Sequence, residues 1–180
     1  INYTQNYTVT KGQVTVSNPI PKSGNQDTRI ADTGTYNHGI HITSTEDIVA
    51  YAHIYNQSVS GASLLFPTNT LGQEYYALSY SQFSNDPFSN SFFFVVATED
   101  NTLVEITPSA PNKNNKEVNK PFTVKLNRGQ IYSVLGTTNG ITGSDLTGSK
   151  IKSISSNSSG SCKKIAVFSG AGKISIGSGN

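Results

Sequence analysis

The chain has no methionine, no tryptophan and a single cysteine among its 180 residues, and only 13% of those residues are charged. Each shortage excludes something. One thiol, Cys162, cannot close an internal disulfide. Three readings of it stay open: an inert buried thiol, a thiol that pairs with a cysteine elsewhere, and a nucleophile, the last without a histidine near it in the sequence. A formal net charge of +2 sets up no field strong enough to argue for nucleic acid or an anionic membrane as partner. No apolar run approaches the ~18 residues of a membrane-spanning helix, so no membrane insertion is expected. A chain that opens at Ile1 without methionine reads as a processed product, an excised piece or the ordered part of something larger.

What is present is β-forming. The hydrophobic fraction of 34% is carried by Ile, Val, Leu, Phe and Tyr, residues that fit a pleated, half-buried surface. Solubility then rests on Asn, Ser, Thr, Gln and Gly, which suits an extracellular protein. Apolar residues alternate with period two almost everywhere and follow the helical period almost nowhere. Ile40 and Ile42 alternate with polar neighbours; Ile48, Ala50, Ala52 and Ile54 share one face, and Val49, Tyr51 and His53 the other. A turn at Thr45-Glu-Asp47 predicts that these two runs form a hairpin. Further strands are expected over 62–66, 74–80, 91–97, 102–107, 122–126, 164–169 and 173–176, with 91–97, apolar on both faces, the most central. Residues 108–120 carry no periodicity and read as an exposed loop whose lysines are solvated. Short strands at this spacing, without helical crossovers, predict an all-β fold: an antiparallel β-sandwich of jelly-roll or Greek-key type.

The chain also repeats itself. Tyr7-Thr-Val-Thr-Lys-Gly-Gln-Val-Thr-Val16 is echoed by Phe122-Thr-Val-Lys-Leu-Asn-Arg-Gly-Gln-Ile-Tyr-Ser-Val134, and 117 residues separate Gly12 from Gly129. Asp32-Thr-Gly34 is echoed by Asp145-Leu-Thr-Gly148, and Ile42-Thr-Ser44 by Ile151-Lys-Ser153. Ile48-Val-Ala-Tyr51 is echoed by Ile165-Ala-Val-Phe168, again at 117 residues. Four echoes in one order predict two related halves, about 7–57 and 122–170, with long connections at 17–38 and 136–148 that cross between sheets.

Catalytic motifs are not found. Ser169-Gly-Ala-Gly-Lys173 lacks the first Gly, the hydroxyl after Lys and the following helix of a phosphate loop. No Gly-x-Ser-x-Gly elbow occurs. If 40–44 and 48–54 paired about Glu46, His38 and His53 would lie close across the hairpin, and Asp32 could join them on a zinc ion. No spacing supports that third ligand, so the imidazoles read as partly exposed sheet residues and no cofactor is expected. Glu46-Asp47 and Glu99-Asp100 read as turn residues. Four sequons, at Asn2, Asn6, Asn56 and Asn157, are explained better by a composition rich in Asn, Ser and Thr than by glycosylation.

Several stretches taken together resemble a known family. They are Gly39-Ile-His-Ile-Thr-Ser44, Ile48-Val-Ala-Tyr-Ala-His53, Leu65-Phe-Pro-Thr-Asn-Thr-Leu-Gly72 with Glu74-Tyr-Tyr76, and Phe94-Val-Val-Ala-Thr-Glu-Asp-Asn-Thr-Leu-Val-Glu-Ile106. Leu126-Asn-Arg-Gly-Gln-Ile-Tyr132, Asp145-Leu-Thr-Gly-Ser-Lys-Ile151 and Ile165-Ala-Val-Phe-Ser-Gly170 complete the set. The combination is similar to the N-terminal domain family of IgG Fc-binding proteins over most of residues 35–170. The resemblance implies an extracellular β-rich module, found in mucin-like secreted proteins of animals and in large secreted or surface-attached bacterial proteins, especially of the Bacteroidota. The composition points to the bacterial branch. The family domain continues past Val-Phe-Ser-Gly170 into a cysteine-containing segment, which implies that residues 1–180 are a module truncated at its C-terminal end. No catalytic residues come with the resemblance.

The expectation is therefore a non-enzymatic binding or adhesion module, secreted or at the cell surface. Its partners would be an extracellular protein or glycan, neighbouring domains, or copies of itself. Polar loops bearing Tyr55, Phe83 and Phe88 are the candidate ligand-binding positions. The alternative is a structural spacer or filament subunit that pairs through an edge strand at Ile1–Thr10 or Lys173–Ile176. A carbohydrate-active enzyme on a jelly roll is a lesser one.

Overall fold

The computed structural model describes residues 3–56, 59–81, 89–155 and 160–175. Among these residues twelve strands run in chain order: β1 (Gly34–Tyr36), β2 (Ala50–Asn56), β3 (Val59–Leu65), β4 (Glu74–Tyr76), β5 (Ser91–Ala97), β6 (Thr102–Thr107), β7 (Phe122–Leu126), β8 (Ile131–Leu135), β9 (Thr138–Asn139), β10 (Thr142–Gly143), β11 (Lys150–Ile154) and β12 (Ile165–Ala171). Among the described residues helix is confined to the single 3₁₀ turns Gly24–Gln26 and Thr68–Thr70.

Two four-stranded antiparallel sheets carry the core, one in the order β1-β8-β5-β12 and the other β4-β11-β6-β7. They pack face to face as the antiparallel sandwich that the alternation predicts. Phe93, Val95, Ala97, Val134 and Ile165 from the first sheet and Val104, Ile106, Leu126 and Ile151 from the second meet in one cluster with Ala77 and Leu146. Alternation explains the division, because successive side chains on a strand point to opposite faces. Along β5 every second residue is buried, from Ser91 to Ala97, and the residues between are half-exposed. Burying one side chain such as Ile151 or Leu126 contributes about 1.5–3 kcal/mol.

The arrangement of β5 and β6 organises the rest. They follow one another in sequence but enter different sheets, β5 between β8 and β12, β6 between β11 and β7. Together they form an arch that supplies an interior strand to each sheet. The next pair, β7 and β8, arches between the sheets in the same way. The two arch tips are tied together: the Asn101 amide donates to the Asn127 side-chain oxygen at 3.1 Å and the Arg128 amide to an Asp100 carboxylate oxygen at 3.0 Å. Asn101 and Gly129 take the positive φ values, 55° and 77°, that tight turns require.

Residues 3–49 look different. Apart from β1 they hold no strand, although their alternation predicts several. Residues 40–44 are not a strand, and the hairpin expected about Glu46 forms one segment later, where β2 pairs with β3 from Ala50↔Leu65 to Asn56↔Val59. With only two residues between its strands, that hairpin closes at the least loop entropy. The segment 37–41 runs beside the β7–β8 tip instead: the Gly39 amide donates to the Gly129 carbonyl at 3.0 Å and Gln130 Nε2 to Asn37 Oδ1 at 2.8 Å. A Cβ on Gly39 would collide with the Gly129 carbonyl, so only glycine allows this approach.

Three other expectations are corrected. The strand at 74–80 stops at Tyr76, and Ala77 continues through single backbone bonds to Gly148 and Ser149. The loop 108–120 is not wholly exposed: buried Asn112 bonds the Ala110 and Lys116 backbone and bridges to Gly136. Neither candidate edge is a strand over its described residues, 3–10 and 173–175.

Candidate functional site

β2 and β3 form a two-stranded sheet of their own. Its strand pairing divides the side chains into two faces. Ala50, Ala52 and Ile54 lie opposite Leu65, Ser63 and Gly61 on one face; Tyr51, His53 and Tyr55 lie opposite Leu64, Ala62 and Ser60 on the other. The neighbours of His53 and Tyr55, Ala62 and Ser60, are small, and all three ring-bearing residues are exposed. The His53 and Tyr55 rings stand 5.5 Å apart, tilted. The result is a row of three amphipathic rings, each with a polar tip. Such a row supplies contact area at low entropic cost on docking.

A second aromatic row lies on the sandwich. Phe94 stacks on Phe92 at 6.3 Å and on Phe168 at 5.1 Å, on the outer face of the first sheet. The second sheet's outer face is charged instead, with Lys150–Glu74 and Lys152–Glu105 pairs at 3.0 and 2.9 Å. The hydrogen bond that Lys150 Nζ donates to Glu74 raises the Lys150 pKa above its ordinary value. These pairs are solvent-facing and contribute little to stability. Sequence reading placed 91–97 at the centre as apolar on both faces; β5 is indeed interior to its sheet, but Phe92 and Phe94 face outward. Their spacing of two, in step with Phe168, was the available signal.

The candidate ligand-binding positions separate. Tyr55 stands on the exposed hairpin, whereas Phe83 and Phe88 lie outside the described residues. The suggested metal set does not come together as a group. The His38 ring lies tilted against Tyr36 at 5.4 Å, Asp32 accepts the Thr33 amide at 2.8 Å, and His53 sits on β2. No group of three or more His, Cys, Asp or Glu gathers among the described residues. His38, Asn37 and His41 line a cleft of about 400 Å³ with Tyr3, Ile20 and Thr28. Nδ1 of His38 has no hydrogen-bond partner there, but the ring is only half-buried. Near this cleft the Arg29 side chain, bonded to Asp27, holds that carboxyl down to about 2. Cys162 is half-buried and free, and its carbonyl accepts a bond from Gln73. Of the sequon asparagines, Asn6 is exposed; the side chains of Asn2, Asn56 and Asn157 are outside those described.

The sequence profile of a family described as IgGFc binding protein matches residues 61–180, two thirds of the chain. No curated protein and no solved structure matches it. The matched segment contains most of β3 and all of β4 to β12, and with them nearly the whole sandwich. Within the described residues no helix is long and apolar enough to cross a membrane.

Proposed function

Since the chain belongs to the IgGFc binding protein family, we propose that it is a non-enzymatic, extracellular protein-binding module that docks through the exposed rings of its β2–β3 hairpin. The family is one of binding proteins rather than enzymes, which supports the reading. The observation that carries it is the row Tyr51, His53 and Tyr55 on one open face, with no core side chain among the described residues packed over it. A low-charge, polar-neutral surface suits contacts outside the cell at variable salt. The parent would be a large secreted or surface-attached bacterial protein, with this module serving adhesion. Tyr51 and Tyr55 are the primary anchors, and Phe83 and Phe88 are further ones.

Immunoglobulin Fc, the partner in the family's name, is the first ligand to test, with a glycan array as the second arm. Surface plasmon resonance on immobilised Fc should show binding that Tyr51→Ala with Tyr55→Ala weakens at least tenfold, while Phe92→Ala does not. Binding indifferent to the hairpin double variant, or to neither protein nor glycan at all, overturns the proposal.

A further inference from the structure

The apolar alternation of residues 7–54 is open to solvent in the places where its echo is closed. Val9, Ile42 and Ile48 are 52%, 50% and 40% exposed, and Leu126, Ile151 and Ile165, which echo them, are each 0% exposed. The strand register explains what closes the second set. Leu126 pairs with Thr102 and Ile151 with Ile106, both on β6, and Ile165 pairs with Ala97 on β5. All three therefore lie directly beside the β5–β6 arch. Without that arch β7 and β12 would lose their ladders, and β8 and β11 would keep only the short outer strands β1 and β4.

Residues 7–54 resemble a sandwich in that condition. The turn is already built: the Gln13 amide donates to the Thr10 carbonyl at 2.9 Å and the Gln130 amide to the Asn127 carbonyl at 2.8 Å, with Gly12 and Gly129 both at φ 77°. The hairpin strand β2 has β3 on one edge and, among the described residues, no ladder partner on the other. In the echo that other edge corresponds to the one β12 offers to β5.

We propose that residues 7–54 are the flanking strands of a second sandwich, and that its centre is filled by a strand–turn–strand arch of the β5–β6 kind, supplied by polypeptide on the N-terminal side of Tyr7. The order of elements fixes the source, since in the closed unit the arch comes first and the flanking strands follow it. A second copy of the chain has no such arch to give, because its own Phe93, Val95, Val104 and Ile106 are fully buried. The occupant must place alternating apolar residues of β-branched or aromatic type against Val9, Ile42 and Ile48, and leave the ring face of the hairpin free: Tyr51 echoes Phe168, which points out of its own core. The inference is independent of what the rings bind, and its readout is separate.

The test adds the arch. A copy of residues 90–107 is fused ahead of Ile1 through a flexible linker that, with residues 1–4, matches the 108–121 connection in length. Val9→Cys in a Cys162→Ser background reports exposure by thiol-labelling rate. The control fusion carries Val95→Asp and Val104→Asp in the added copy only. Labelling should slow at least tenfold in the intact fusion relative to the control, with amide protection of β5 to β12 unchanged in both. Equal rates in the two fusions overturn the proposal. So does labelling of the unfused chain that slows as its concentration rises, because a second copy would then be the occupant.

Discussion

Two regions of this molecule carry the same pattern with opposite results. Residues 91–171 place their alternating apolar residues in a closed core, and residues 3–66 leave theirs at the surface, Val14 and Val16 most of all. The difference is not in local propensity, since both contain β-branched and aromatic runs and both build the same Gly-Gln turn. It lies in non-local pairing. Every strand of the closed region except the short β9–β10 pair is tied to β5 or β6 directly or through one neighbour. Alternation makes a segment able to form a strand; an interior strand beside it is what makes it one, because backbone donors and acceptors need a ladder partner.

The largest effect expected from this contrast is on stability. Ile151→Ala should destabilise the fold by about 2–5 kcal/mol in denaturant unfolding, as removal of a fully buried Ile leaves a cavity. Ile42→Ala, its echo, should change stability by less than about 0.5 kcal/mol. A similar loss at both positions would break the comparison. Next comes the shared turn. Gly129→Ala forces a side chain into a left-handed conformation and should be destabilising by about 1–2 kcal/mol, since β7 and β8 hang on it. Gly12→Ala has the same local strain but should leave the global transition unmoved. The smallest effect is electrostatic. Asp27 has its pKa lowered from 3.8 to about 2 by its bonds to Arg29, so whatever it contributes is present above about pH 4 and lost as pH falls through about 2. The Thr28 and Arg29 amide resonances should move in that window while those of the sandwich do not.

Much of the fold was legible. The runs 91–97, 102–107 and 122–126 stand as strands at those bounds, because each is a short run of β-forming residues beside turn residues such as Asn101 and Asn127. What period two cannot say is which strands pair. It therefore placed strands at 40–44 and 7–16, where none form, and put the hairpin at Glu46 rather than between Asn56 and Val59. Nor could it tell that short turns, Glu99–Asn101 and Asn127–Gln130, lead from one sheet to the other. At the candidate site, Tyr55 was singled out from its polar setting. Tyr51 and His53 were assigned to one face but not to an interaction surface, since alternation does not reveal that nothing would cover that face. Phe92 and Phe94 were hidden inside a run that looked buried on both sides.

The central claim, that one interior arch closes the sandwich and that the preceding region stands open, is tested most directly by amide hydrogen exchange followed residue by residue on the intact chain. The amides of β5, β6, β8, β11 and β12 that bond within the two sheets should exchange only through global opening. Those of residues 7–16 and 40–49 should exchange within about tenfold of the unprotected rate, with β2 and β3 between these limits. Protection of residues 7–16 equal to that of β7 and β8 would contradict the account.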